Sequence, residues 1–289
     1  MISAVEIERS GIRLGRSALA RSRMVGARNM LSSCCLCAHD CGVNRLAGEK
    51  GVCGAAEQPR FFSAQVEVGD ELQVNPTFAI AFSGCDLRCN FCITGLSSWD
   101  SRAGSLAEPS HLAARAMAAL ESGAESIMIL GGEPSIHLPF VLAFVAELPD
   151  TACLVWKTNA HNSRKARSLL EGIFDLWLAD MKFGNPLCAE RLAGVPDYMA
   201  VVTENLIWAR QHADLIVRHL LLPGHLDCCW KPIANWLMSE LPGVKVSLRT
   251  EFWPAWHSRK HSELRRTVSA AEAQRALRIA DEFGLNLVQ

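Results

Sequence analysis

Ser83-Gly84-Cys85-Asp86-Leu87-Arg88-Cys89-Asn90-Phe91-Cys92 follows directly on the apolar run Phe78 to Phe82. Its thiols are spaced C-x3-C-x2-C, with an aromatic immediately before the last. Iron–sulfur clusters are held by cysteine thiolates, and a [4Fe–4S] cube has four irons to ligate. Cys85, Cys89 and Cys92 on one loop can hold three of those irons and leave the fourth without a protein ligand. An open coordination position separates a reactive metal site from a structural one, a rule stated for zinc that extends to iron. Structural zinc is the competing reading. Three cysteines without a nearby fourth ligand fit it poorly, because such zinc is four-coordinate.

Downstream of residue 77, short apolar runs alternate with longer periodic stretches. The runs predict strands at 78–83, 126–130, 153–157, 175–179, 214–221, 244–249 and 285–288. The stretches between them predict helices near 106–122, 138–148, 162–171, 197–212, 228–240 and 269–283. Pro139 and Pro196 suit helix starts. Such alternation implies a parallel sheet with covering helices. This many repeats favour a closed or partly open barrel, in which working residues sit at the C-terminal ends of strands. Cys85, Gly131, Asn159, Asp180 and His219 or Pro223 fall at or just past such ends.

A second thiol group precedes the first. Cys34, Cys37, Cys41 and Cys53 read as C-x2-C-x3-C-x11-C, with Cys35 and His39 as reserve ligands. Four thiolates satisfy either a tetrahedral zinc or an iron–sulfur cluster. With four ligands the site is closed, hence structural or electron-relaying. Free thiols in an ordinary loop are the bland alternative.

Composition narrows the function classes. The 29 Lys and Arg against 30 Asp and Glu argue against a bulk nucleic-acid binder. No apolar run is long enough to span a membrane, and no signal peptide is visible, so a cytoplasmic location is expected. Twelve cysteines in such a chain read as metal ligands or catalytic groups rather than disulfides. Of the remainder, Cys153 reads as a small core residue, and Cys228 and Cys229 as ordinary helix residues, the alternative being a reactive pair that quenches a radical or donates sulfur. Arg9, Arg13, Arg16, Arg21, Arg23 and Arg28 suggest an N-terminal helix with a solvated basic face that packs on the main domain, with a transit peptide as the alternative.

With Gly131-Gly132-Glu133-Pro134 one β/α unit after the triad, the chain resembles the radical S-adenosylmethionine (radical SAM) superfamily. The Cys34–Cys53 segment, with Cys41-Gly42-Val43-Asn44-Arg45, extends this to homologues of pyruvate formate-lyase activating enzyme that carry an N-terminal cysteine-rich module. The resemblance implies a partial (β/α)6 TIM-like barrel over residues 71–289, the metal-binding module at 34–70 and a basic helical arm at 1–33. It implies two cofactors, a [4Fe–4S] cluster on Cys85, Cys89 and Cys92 and S-adenosylmethionine, with a second metal at Cys34–Cys53. Gly131, Gly132, Glu133 and Pro134 would meet the methionine ammonium, the carboxylate of Glu133 facing it. Asp180 and Lys182 match an Asp-Leu-Lys motif at a cofactor site. Arg218 would hold a carboxylate in a bidentate fork. Salt bridges lining a polar barrel mouth are the alternative for these three residues. Asn159 retains its place, but Lys157 stands where activating enzymes carry an acid.

The implied chemistry is reductive cleavage of S-adenosylmethionine to a 5′-deoxyadenosyl radical that removes hydrogen from a substrate. An electron donor such as flavodoxin or ferredoxin is expected. The substrate is either the glycine of a glycyl radical enzyme or a small molecule or peptide in a biosynthetic pathway. A non-catalytic metal-binding protein is a third class. The stretch Arg249 to His257, dense in aromatic and charged groups, reads as a rim that meets substrate or as a packed lid.

Overall fold

The computed structural model describes residues 14–288. Its centre is β2 (Thr77–Phe82), in which every residue is buried. A strand covered on both faces needs apolar side chains in both directions, which is why this one reads as a continuous run. Around it runs one sheet in the order β3-β1-β2-β4-β5-β6-β7-β8-β9. The members are β1 (Arg60–Glu67), β3 (Ser105–Leu106), β4 (Ser126–Gly131), β5 (Leu154–Thr158), β6 (Leu176–Asp180), β7 (Asp214–Leu220), β8 (Lys245–Arg249) and β9 (Asn286–Leu287). Strands β2 and β4 to β9 are parallel, while β1 pairs antiparallel with β2 and β3. The sheet is open, so the expected partial barrel is what the chain forms.

The helices are α1 (Arg16–Asn29), the single turn α2 (Leu96–Trp99), α3 (Pro109–Glu121), α4 (Leu138–Val145), α5 (Arg164–Ser168), α6 (Pro186–Ala193), α7 (Tyr198–His212), α8 (Lys231–Glu240) and α9 (Ala270–Glu282). Helix α6 and strand β1 were not expected. Strand β1 belongs to the main sheet, although its residues read as part of the cysteine-rich segment. The helix expected from residue 228 begins at Lys231, after a wide π-type turn at Leu226–Trp230.

Strand periodicity positions the site. Side chains two residues apart share a face. Met128, Val155, Leu178 and Ile216 form an apolar plug with Val74 on the inner face of the sheet. Two residues further along the same strands stand Leu130, Lys157, Asp180 and Arg218, all lining a cleft. The opposite face, with Ile129, Trp156, Trp177 and Val217, packs into the main core beneath the helices.

The basic arm differs from expectation. Arg9 and Arg13 lie outside the described residues; Arg21 is exposed, but Arg16 and Arg23 are half-buried, so the basic face is only partly solvated. Arg16 donates to Ala152 O, Arg21 to Ala146 O at 2.5 Å, and Arg23 to Leu169 O at 3.0 Å and Glu171 O at 2.5 Å. Ala146 and Leu169 are the cap residues that end α4 and α5, where a helix leaves acceptors without partners, while Ala152 and Glu171 lie in the loops that follow. Cys153, expected in the core, is exposed.

Candidate active site

The triad loop is held on both flanks. Gly132 N–H donates to Phe82 O at 2.8 Å and Glu133 N–H to Gly84 O at 2.9 Å, so the turn after β4 grips the start of the loop. Arg88 N–H and Asn90 N–H donate to Ala193 O (3.1 Å) and Leu192 O (2.8 Å) at the end of α6. Phe91 packs edge-on against Phe183, ring centres 5.9 Å apart. The loop thereby directs Cys85, Cys89 and Cys92 into one cleft of about 520 Å³. Cys85 and Cys89 are buried and Cys92 half-buried. Burial raises the Cys85 thiol well above its usual range and pushes Cys89 up to about 12, the latter opposed by the charge of Lys182. Binding iron therefore means displacing protons from these thiols.

The other expected residues are placed unequally. Gly131, Gly132, Asn159, Asp180, Lys182 and Arg218 line the same cleft as the triad. Glu133 and Pro134 lie beneath it, outside the lining. The Glu133 carboxylate accepts from Ser135 N–H (3.0 Å), Thr158 Oγ1 (2.8 Å) and Asn159 N–H (2.7 Å). It ties the turn after β4 to the end of β5. Burial and the nearby Asp86 push it up to about 7. The cleft-facing part of the Gly-Gly-Glu-Pro motif is its glycine backbone.

Asp180 pairs with Lys182. Burial works against the Asp180 charge, yet Lys182 and Arg218 hold its carboxyl below the usual range. Arg218 donates to Asp70 Oδ2 at 2.9 Å, and its Nε lies 3.1 Å from Glu71 Oε1. Lys157, at the position where an acid was looked for, is partly buried among these groups. Burial, then the charge of Arg218, lowers its ammonium.

Asp86 and His161 escaped the sequence reading. Asp86 Oδ1 accepts from Asn159 Nδ2 at 2.7 Å, and Oδ2 lies 2.9 Å from His161 Nδ1. Asn159 Nδ2 also stands 3.8 Å from Cys85 Sγ. His39, a reserve ligand by sequence, instead bonds Asp86 O through Nε2 at 2.9 Å. The strand-end rule that singled out Asn159 could have reached His161, two residues on. Nothing local announces that the acid inside the triad would be buried.

The four module cysteines are not gathered into a tight donor set. Cys37 and Cys53 share a small buried cluster with Ala55 and Ile136. Cys34 Sγ lies 3.9 Å from Arg45 Nη1, and Cys41 Sγ lies against Gly51. The module is docked on the loop after β5 by Ala38 N–H to His161 O (3.0 Å) and Ser163 N–H to Leu36 O (3.1 Å).

An open, mostly parallel sheet with three thiols just past the C-terminal end of its first parallel strand, β2, defines a class, and comparison with known proteins agrees. The Radical SAM superfamily pattern matches residues 80–237, and the chain belongs to that superfamily. An uncharacterised protein of Methanocaldococcus jannaschii is 28% identical over 272 residues, covering 91% of this chain and 78% of the relative. Streptococcus suis SuiB bound to its precursor peptide SuiA superposes with TM-score 0.54 at 13% identity, over 71% of this chain and 46% of SuiB. SuiB bound to S-adenosylmethionine gives 0.53 at 16% identity, over 71% and 47%. This chain thus spans less than half the length of SuiB, and the likeness is one of fold.

A [4Fe–4S] cluster and S-adenosylmethionine are the cofactors of the superfamily, and the donor set fits them. Three thiols open into the cleft, and no other cysteine or histidine lines it. That composition leaves one iron of a cube free for a substrate-like ligand. Among the described residues, no helix is long and apolar enough to cross a membrane.

Proposed function

We propose that this radical SAM enzyme acts on a polypeptide segment, the reactive residue entering the cleft while flanking residues rest on its collar. Cys85, Cys89 and Cys92 hold the cluster. The Gly131–Gly132 backbone, Asn159, Asp180, Lys182 and Arg218 surround S-adenosylmethionine. Bound there and given one electron by the donor, the two cofactors would supply a 5′-deoxyadenosyl radical, with methionine as the other product, able to remove a hydrogen atom from the substrate. The protein's own contribution is orientation: Asp180 and Lys182 fix each other's charge at the strand ends, and Asn159 braces the Cys85 loop through Asp86.

The observation that carries the reading is the collar. Ile93 and Trp253 line the cleft yet are 77% and 69% exposed, and the adjoining Leu96 is 62% exposed. Apolar surface left open at the mouth of the cleft marks an interaction site. A glycyl radical enzyme, whose glycine would supply the hydrogen, is one such partner, and flavodoxin or ferredoxin is the proposed electron donor. A small anionic substrate is the second reading, favoured by Lys157 and Arg249 in the cleft wall.

The test is anaerobic reconstitution with iron and sulfide, then dithionite, S-adenosylmethionine and candidate peptides, with chromatography for 5′-deoxyadenosine. Deoxyadenosine that disappears in Cys89→Ala and rises with peptide supports the proposal. Stimulation by small anions alone would move the assignment to the second reading.

A further inference from the structure

Outside the cleft, four side chains from two loops converge. Cys188 lies in the first turn of α6, its N–H capped by Asn185 Oδ1 at 2.9 Å. His225, Cys228 and Cys229 lie beyond β7, on and just before the wide turn that leads into α8. Cys188, Cys228 and Cys229 Sγ lie 3.5, 3.4 and 3.5 Å from His225 Nδ1. Cys228 Sγ is 3.8 Å from Cys188 Sγ and 4.0 Å from Cys229 Sγ. All four donor atoms fall within 4.8 Å of one another.

These separations are the edges of a tetrahedron. Zinc sits about 2.3 Å from thiolate sulfur and about 2.0–2.1 Å from imidazole nitrogen, which at tetrahedral angles places sulfurs about 3.8 Å apart and sulfur about 3.5 Å from nitrogen. Hydrogen bonding does not account for the arrangement, because one imidazole lone pair accepts from one thiol, not three. A disulfide needs sulfurs about 2.05 Å apart.

We propose that Cys188, His225, Cys228 and Cys229 bind a structural zinc ion. The surroundings match that role. Cys188, His225 and Cys229 are buried and Cys228 is half-buried, so most of the donor set is shielded from water. Asn185 Nδ2 lies 3.2 Å from Cys188 Sγ and 3.9 Å from Cys229 Sγ, placing donors on the thiolates. His225 Nε2 lies 3.5 Å from Arg191 Nη2 and 3.8 Å from Glu263 Oε1, and Arg191 pairs with that carboxylate at 2.5 Å. The ion joins the first turn of α6, which follows the Lys182 loop after β6, to the turn after β7, the strand that carries Arg218. It thereby sets the spacing of two strand ends that line the cleft. With four protein ligands the site is closed, unlike the triad.

The experiment is zinc and iron analysis of the full-length protein purified without added metal, beside Cys188→Ser, Cys228→Ser and, as a control, the exposed Cys153→Ser. The expected result is loss of one zinc per chain in the first two and its retention in the third. Zinc X-ray absorption should show three sulfurs and one nitrogen. If the variants fail to fold, thiol alkylation of the wild type decides. Cys188, Cys228 and Cys229 should resist reagent until a strong chelator is added, then react. Zinc content unchanged in the variants, iron in place of zinc, alkylation indifferent to chelator, or a Cys188–Cys228 disulfide by mass spectrometry would each overturn the proposal.

Discussion

Asp86 Oδ2 lies 2.9 Å from His161 Nδ1, and neither side chain reaches solvent. Burial opposes the Asp86 charge, but hydrogen bonds from His161 and Asn159 hold its carboxyl below the usual range, while Asp86 overcomes burial to raise His161. Truncating one partner of a buried pair leaves an uncompensated charge and costs about 3–5 kcal/mol. Asp86→Ala and His161→Ala should each destabilise by that amount in anaerobic urea unfolding. The double variant should lose clearly less than the sum, because each single change already breaks the pair. Additive losses would mean the two residues act separately.

Gly132 is where the turn after β4 meets the triad loop. A Cβ there would stand 1.9 Å from Gly84 O and 3.2 Å from Cys85 Cβ. Backbone cannot swing aside as a side chain can, so Gly132→Ala should move the Cys85 loop and destabilise by more than about 2 kcal/mol. Iron content after reconstitution should fall with it. Gly26→Ala, inside α1 with nothing within 4 Å, should instead raise stability by about 0.5–1 kcal/mol. Full iron loading in the Gly132 variant would show that the loop tolerates the shift.

Parallel strands were legible because burial on both faces writes a continuous apolar run. The run Phe78–Phe82 lies wholly within β2, and Leu176–Asp180 falls within a residue of its expected bounds. Strand β1 was not, since only Ala64 along it is buried and its polar positions break the pattern. Helix α6 had a local signal that went unused: Asn185 as cap and Pro186 at the first helical position. The triad was legible because its ligands are contiguous. Cys188 and His225 are 37 residues apart and meet only because β6 and β7 are neighbours, so no spacing rule exposes them. The same holds for Asp86 and His161, 75 residues apart.

Glu272 gives the fold a pH dependence at the foot of the His225 loop. It completes a capping box with Ser269, takes two bonds from Arg266 (2.6 and 2.8 Å) and accepts from Gly224 N–H at 2.8 Å. Arg266 chiefly, then these N–H donors, outweigh burial and hold its carboxyl far below the usual range. A depressed carboxyl stabilises fully above its unfolded value, near pH 4.3, and that contribution is lost as pH falls toward the folded value. Glu272→Gln should therefore cost about 1–2 kcal/mol at pH 7, and the gap from wild type should narrow steadily below about pH 4. Thermal melts across that range check the sign. A gap that widens on acidification would contradict it.

Lys182 is placed to make Cys89 a better ligand. Burial raises the Cys89 thiol, Lys182 is the strongest influence pulling it down, and Asp180 pushes it up. Lys182→Met removes the cation and at the same time leaves the Asp180 carboxylate without its partner. Both changes favour the protonated thiol. A shift of about one unit would lower the thiolate fraction about tenfold at a given pH. Alkylation of Cys89 in cluster-free protein, followed by mass spectrometry over a pH series, should therefore need a higher pH in the variant. Cluster assembly should slow in parallel, since iron displaces that same proton. Cys85, whose raised thiol answers to burial and to Asp86, should keep its wild-type profile and so serves as the internal control. If Cys89 alkylates at the wild-type rate in Lys182→Met, the lysine holds Asp180 without tuning the thiol.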